Sequence, residues 1–209
     1  MTGLEPEPVP EGEVPRKRFV PESLPAPDGG PGTKPNSGTS VMRVATPGMI
    51  TLRGRIRSEP IVTAVREAIG IDIPEPRRIL SVDGRSLAWM SPDELLILTP
   101  PGGSGSTIAA LSSALEGQYA LLADVSDARL CFRIAGPSSR ELIAKGCPVD
   151  LSPEAFSPGD FRRSRLGQVP VALWMPDPGQ FMLLCFRSVS DFVEHWLQNA
   201  AQGEFPGYL

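Results

Sequence analysis

The residues of this chain whose types could do chemistry are one histidine, three cysteines, a glycine-rich loop and an arginine cluster. His195 is the sole histidine, and a lone imidazole can act as a general base or a metal ligand. It neighbours Trp196 one residue off the apolar stripe of a C-terminal helical pattern, with nothing beside it to orient a base. No second histidine and no cysteine pair at zinc spacing accompany it, so a metal site is not expected. Cys131, Cys147 and Cys185 are widely spaced and odd in number. A reactive thiol needs an electropositive, partly exposed setting, and Cys131, with Arg129 and Arg133 on its own strand face, comes nearest to one. Burial as a small hydrophobe is the expected role of all three. No Gly-x-Ser-x-Gly elbow is present.

Gly103-Ser-Gly105-Ser-Thr-Ile108 lies after a strand pattern and before a helical one, a position that suits a phosphate loop. Ile108 stands where the third glycine belongs, and no Gly-Lys-Ser/Thr follows, so a plain flexible loop is expected. Arg162, Arg163 and Arg165 crowd one short segment flanked by aromatics. Guanidiniums at that density serve either a solvated loop or bidentate recognition of a carboxylate, a phosphate or another chain. Trp89, Trp174 and Trp196 have apolar neighbours and are expected in the core. Trp89 and Trp174 are also candidates, with the three arginines, for anchoring another chain. No catalytic, cofactor-binding or metal-ligating residue is assigned.

The elements that must position these groups follow from composition and period. A chain of 209 residues suits one ordinary domain or two small ones. The net charge of −4 gives nucleic acid no basic footprint to bind. No run is long enough to span a bilayer, and the acidic, Pro-rich start is the wrong chemistry for an export signal. A reducing compartment, the cytoplasm, is expected from the cysteines. Residues 1–42, crowded with Pro, Gly and Glu, form an expected disordered tail, in which Arg16-Lys-Arg18 is a basic cluster.

Beyond the tail the pattern predicts an α+β protein. A strand over Met49–Arg55 leads to a helix with Ser58 as N-cap, an Ile61, Val65, Ala68 and Ile69 stripe, and Gly70 as its stop. Asp83-Gly84 predicts a hairpin between strands 79–82 and 86–90. A buried strand 95–99, a helix 106–115 and a strand 119–125 complete a first module, 43–125. The second module, 126–209, opens on a half-buried strand in which Leu130, Phe132 and Ile134 alternate with Arg129, Cys131 and Arg133. Pro137 then opens a helix that Gly146 ends. Strands 169–175 and 180–186 follow, and a last helix near Ser188 has a face of Val189, Phe192, Val193, Trp196, Leu197 and Ala200. The expected fold is two ferredoxin-like β-α-β-β-α modules packed together, the second lacking a final strand.

Asp124-Val-Ser followed by an alternating strand, Gly-Pro and a Leu-rich helix resembles the glycine-cleavage T-protein type of fold. Gly48-Met-Ile-Thr-Leu-Arg-Gly54, Ala88-Trp-Met-Ser-Pro-Asp-Glu-Leu-Leu96, Asp124-Val-Ser-Asp-Ala-Arg129, Arg162-Arg-Ser-Arg-Leu-Gly-Gln-Val-Pro170 and Cys185-Phe-Arg-Ser-Val189 together resemble the gamma subunit of heterotetrameric sarcosine oxidase. That resemblance covers roughly residues 44 to 200. It implies a non-catalytic subunit assembled with alpha, beta and delta partners. The assembly oxidatively demethylates sarcosine to glycine, forms hydrogen peroxide and passes the one-carbon unit to tetrahydrofolate. FAD, FMN, NAD, tetrahydrofolate and zinc are then expected in the partner subunits, and none in this chain. A related N-methyl amino acid dehydrogenase, or a stand-alone folate-dependent one-carbon protein of T-protein type, is the alternative. Folate-binding relatives place a carboxylate where this chain reads Gln168-Val-Pro-Val-Ala-Leu-Trp174, which holds neither Asp nor Glu.

Overall fold

A computed structural model describes residues 38–209. The expected tail, apart from its last five residues, lies outside the described residues, as does Arg16-Lys-Arg18. The elements run β1 (Ser40–Arg43), β2 (Gly48–Gly54), α1 (Glu59–Ile69), β3 (Ile79–Val82), β4 (Arg85–Ser91), β5 (Glu94–Thr99), α2 (Ser104–Ala114) and β6 (Ala120–Asp124). They continue β7 (Arg129–Ala135), α3 (Ser139–Ala144), β8 (Phe161–Leu166), β9 (Val169–Asp177), β10 (Gln180–Phe186) and α4 (Ser190–Ala201).

Two five-stranded antiparallel sheets result, in the orders β3-β4-β5-β2-β6 and β8-β9-β10-β7-β1. The two orders are the same once each half is counted from its own first strand, with one difference. The seat that β6 fills in the first sheet is filled in the second by β1, which comes from the other end of the chain. Ser40 pairs with Ala135 and Arg43 with Phe132. Residues 40–42, expected in the tail, are therefore strand, and the missing final strand of the second half is supplied by the chain before β2.

The sheets stack face to face and carry helices on their outer faces. Ile50, Leu52, Leu87, Leu95 and Ile97 pack against α1 and α2. Phe132, Ile134, Leu173, Phe181 and Leu183 pack against α3 and α4. Between the sheets, Met49, Ala88, Leu96 and Leu98 meet Cys131, Phe161, Trp174, Met182 and Leu184. Both faces of β2, β5 and β7 are thus covered. That is why Leu95-Leu-Ile-Leu98 is an unbroken apolar run, since a strand buried on both sides has no polar face to alternate with. It also corrects the reading of β7 as half-buried, because Cys131 is fully enclosed between the sheets.

Local signals explain several boundaries. Pro60 lies in the first turn of α1, and Gly70 ends it in the left-handed region at φ 72°, its N–H donating to Arg66 O at 2.9 Å. Ser58 is the N-cap of α1 by position, but its side chain makes no capping bond. Asp83 (φ 48°) and Gly84 (φ 77°) both take positive φ at the β3–β4 turn, as a two-residue hairpin requires.

Other expectations are displaced. Pro137 precedes the N-cap Ser138 rather than opening α3, and α3 ends at Ala144 before Gly146 is reached. The last helix is delayed by one 3-10 turn, Arg187–Val189, so Ser188 does not cap it. Phe192 is half exposed instead of facing inward, because α4 buries the row Val193, Leu197 and Ala201.

Candidate functional site

The arginine segment is not a loop. It is β8, which among the described residues is an edge strand paired to β9 alone, with Phe161 opposite Trp174 and Leu166 opposite Val169. The two-residue period of a strand splits the cluster. Arg162 turns to the helix side, where its guanidinium lies 5.3 Å from the Phe156 ring centroid and 3.2 Å from Asp160 Oδ1. It also donates to Arg77 O and Phe161 O, so its donors serve internal bonds. Arg163 and Arg165 share the face of Phe161, which looks toward the other sheet, and both are exposed. Trp174, 3% exposed and 6.2 Å from the Phe161 ring, is core and offers no surface to another chain. Trp89 is half-buried against the first outer core. Trp196 is half-buried against α3's side of the second.

Where the sheets part, the face that carries Arg163 opens as a cleft of ≈ 70 Å³. Strand register lays out its floor. Arg163 pairs with Ala172, Ala172 with Leu184, and Leu184 with Cys131. One row further, Arg165 pairs with Pro170, and Phe186 pairs with Arg129. Arginines on β8 and β7 therefore stand on either side of an apolar floor of Pro170, Ala172, Leu184 and Phe186. Met90 closes the cleft from the facing sheet, and its carbonyl accepts from Arg163 Nη1 at 3.4 Å. The Arg129 guanidinium lies 5.6 Å from the Phe186 ring centroid. Burial works against its charge, Glu94 supports it and Arg163 opposes it, with a net fall below the ordinary arginine value. Glu94 is itself paired with Arg53 at 3.0 Å. Among the described residues no carboxylate lies within ion-pair distance of Arg129. Sequence reasoning found Arg163 but not Arg129 as its companion, because only the register of four strands brings them to one face.

The remaining sequence candidates have structural employment. The Gly103-Ser-Gly105 stretch is the first turn of α2, with Thr107 Oγ1 donating back to Gly103 O at 3.0 Å. Asp124 already stands where an anion would sit. The Ser104 hydroxyl, then Ser126, hold its carboxyl below the usual carboxylate range. Ser126 in turn accepts from Met49 N–H at 2.8 Å while its hydroxyl donates to Asp124. Asp124-Val-Ser126 is thus a latch that ties the end of β6 to β2. The halves are joined at Asp160, which meets Arg78 at 3.1 Å and Arg162 at 3.2 Å and accepts from Ser157 N–H and Oγ. His195 is exposed, and its Nδ1 lies 2.7 Å from Asp191 O in its own helix. All three cysteines are buried and unpaired. Burial pushes the thiols of Cys131, Cys147 and Cys185 up, that of Cys185 to about 11, so the electropositive reading of Cys131 fails. Among the described residues no three His, Cys, Asp or Glu side chains converge to hold a metal ion. No described helix is long and apolar enough to cross a membrane.

The stacked sheets with outer helices form a fold shared with an aminomethyltransferase. The chain superposes on glycine cleavage system aminomethyltransferase T from Bartonella henselae with a TM-score of 0.61 at 11% identity, over 80% of this chain and 47% of that one. It also superposes on a chain of the heterotetrameric sarcosine oxidase from Corynebacterium sp. U-96, in complex with pyrrole 2-carboxylate, with a TM-score of 0.73 at 24% identity, over 80% and 87% of the two chains. Residues 53–203 match the family described as sarcosine oxidase, gamma subunit family. Sarcosine oxidase subunit gamma of Corynebacterium sp. (strain P-1) is 31% identical over 139 residues, 66% of this chain and 68% of that one. The Arthrobacter sp. subunit gamma is 28% identical over the same length. The chain belongs to the sarcosine oxidase gamma-subunit family.

Proposed function

We infer that this chain is the non-catalytic gamma subunit of an oxidoreductase complex that demethylates sarcosine to glycine, yielding hydrogen peroxide and passing the one-carbon unit to tetrahydrofolate. The observation that carries the reading is the family match across residues 53–203, which spans both sheets. The employment of His195 in its own helix and the burial of every cysteine support a role other than catalysis. Alpha, beta and delta subunits are the partners of this reading, and FAD, FMN, NAD, tetrahydrofolate and zinc reside in them. The cytoplasm is the compartment, in keeping with three unpaired thiols. Residues 43–125 and 126–209 act as two ferredoxin-like modules, with β1 (Ser40–Arg43), ahead of the first, completing the sheet of the second. Arg163 and Arg165 are the accessible members of the expected interface set, with Trp89 half-buried on the helix side of the other sheet and Arg162 turned inward.

A tagged pull-down from the native cell, with an absorbance spectrum and subunit masses, tests this. A yellow complex with three companions that oxidises sarcosine is the expected result. A colourless lone chain overturns it. The stand-alone folate reading has the aminomethyltransferase-like fold in its favour, but fold alone does not carry function. The stretch where folate-binding relatives have an acid reads Gln168-Val-Pro-Val-Ala-Leu-Trp174 and holds none, the acid of β9 being Asp177 at its far end. Tight binding of tetrahydrofolate by the lone chain is the result that would favour it.

A further inference from the structure

The cleft between Arg129 and Arg163 has the makings of a binding site that the gamma-subunit reading does not assign. Its floor is apolar and its two sides are cationic. Pro170 is exposed and Phe186 is 48% exposed, so a large apolar ring lies open to water beside a half-buried guanidinium. Glu94 supports the Arg129 charge only from a distance, since no described carboxylate reaches ion-pair range of it. The open Phe186 ring beside this partly desolvated guanidinium is a surface another chain can cover. Of the acids nearby, Glu94 pairs with Arg53, and Asp93 is exposed and takes the Ser91 hydroxyl while feeling the charge of Arg163 without an ion-pair contact to it.

We propose that this cleft receives a Glu or Asp side chain of a partner subunit, its carboxylate clamped between Arg129 and Arg163 and its stem laid on Pro170, Ala172 and Leu184 against Phe186. This rests on the gamma-subunit reading above. Charge complementarity selects the carboxylate, since two guanidiniums on opposite sides of one cleft offer the paired donors that a planar anion accepts. The cleft of ≈ 70 Å³ opens to solvent, which lets an acidic side chain enter from a docked surface. A free acid that small would gain little affinity, whereas a side chain carried on a docked subunit arrives with its translational cost already met. An arginine beside an aromatic at the centre of a contact is the composition that dominates interface energies.

The test uses the full chain, as wild type and as Arg129→Gln, Arg163→Gln and Arg129→Lys, mixed with the purified partner subunits. Assembly affinity is measured at low and high salt, alongside the melting temperature of each isolated chain. The expected result is a loss of at least about tenfold in assembly affinity for each Gln variant, a smaller loss for Arg129→Lys, and a weaker salt dependence, with melting temperatures within a few degrees of wild type. Gln variants that melt normally and assemble with wild-type affinity overturn the proposal. Because Arg163 is exposed, Arg163→Gln stays informative even if Arg129→Gln folds poorly. A wild-type chain that never joins its partners overturns the gamma-subunit reading and the proposal with it. Saturable binding of free glutarate to the isolated chain, lost in both Gln variants and tighter than millimolar, overturns the partner side chain as occupant and assigns the cleft to a soluble acid.

Discussion

The indole of Trp196 lies flat enough on the Cα of Gly146 that a side chain there has no room: a Cβ at 146 would stand 2.7 Å from ring atom Cη2. Gly146 is thus required by close approach between the turn after α3 and the helix α4, and not as the residue that stops a helix. Gly146→Ala is expected to lower stability by about 1–3 kcal/mol, the usual range for overpacking a filled site. Trp196→Leu costs stability by itself, but in its background the Ala at 146 becomes nearly neutral. A double-mutant cycle in urea measures that coupling. Additive effects of the two changes would mean the contact is not the cause.

β1 closes the second sheet through a bond at its threshold. Thr39 is fully buried, and its Oγ1 accepts the N–H of Ser138 at 3.0 Å. Thr39→Ala leaves that N–H without its acceptor beside the start of α3, at a cost of about 1–3 kcal/mol. Thr39→Ser keeps the oxygen and is expected to recover most of the loss. Amide exchange then reads the location. The β7 amides that face β1 lose protection in Thr39→Ala, while those of β2 and β5 do not.

The two elements that sequence reasoning missed were missed for physical reasons. β1 is four residues long, borders a Pro- and Gly-rich stretch, and its partner β7 begins more than eighty residues away, so no local period announces it. β8 shows apolar residues only at Phe161 and Leu166, with Arg-Arg-Ser-Arg between, because an edge strand is covered by one neighbour and leaves its middle to solvent. What was legible was what short range decides. Asp83-Gly84 dictates its own turn, Gly70 its own cap, and Leu95-Leu-Ile-Leu98 its burial on both sides. The arginine cluster could be seen as a cluster. Its division into Arg162 on one face and Arg163 with Arg165 on the other follows only once the segment is known to be a strand, and Arg129 joins them only through the order β8-β9-β10-β7.

Asp160 makes the seam between the halves sensitive to acid. Burial raises its affinity for a proton, but the Ser157 N–H and hydroxyl, then Arg78 and Arg162, outweigh that and hold its carboxyl below the usual range. A carboxylate with a depressed folded-state value stabilises the protein above its unfolded value, near pH 4, and that contribution is lost as pH falls through the folded value. Wild type is therefore expected to lose stability on acidification from about pH 5 downward more steeply than Asp160→Asn. The variant starts less stable at neutral pH, and the two melting curves converge in acid. A constant gap between them across this range would exclude the carboxylate as the titrating group.

The cysteines set the opposite limit. Burial raises all three thiols, Cys185 to about 11, so they stay protonated in the fold where they would ionise in an open chain. The folded state then holds more protons than the unfolded one above the ordinary thiol value, near pH 8.5, and stability falls as pH rises through it. The same burial slows reagents, since the thiolate is the reactive form and each sulfur is enclosed. Ellman's reagent is expected to find no rapidly reacting thiol among these three at neutral pH and three on denaturation. Cys131 lies in the cleft's own row, opposite Leu184, and faces the space between the sheets, whereas Cys185 packs in the outer core under α3 and α4. Cys131 should therefore be the first to react when the cleft loosens, as in Arg129→Gln, and reaction of Cys185 ahead of it would mean that the outer helices part instead.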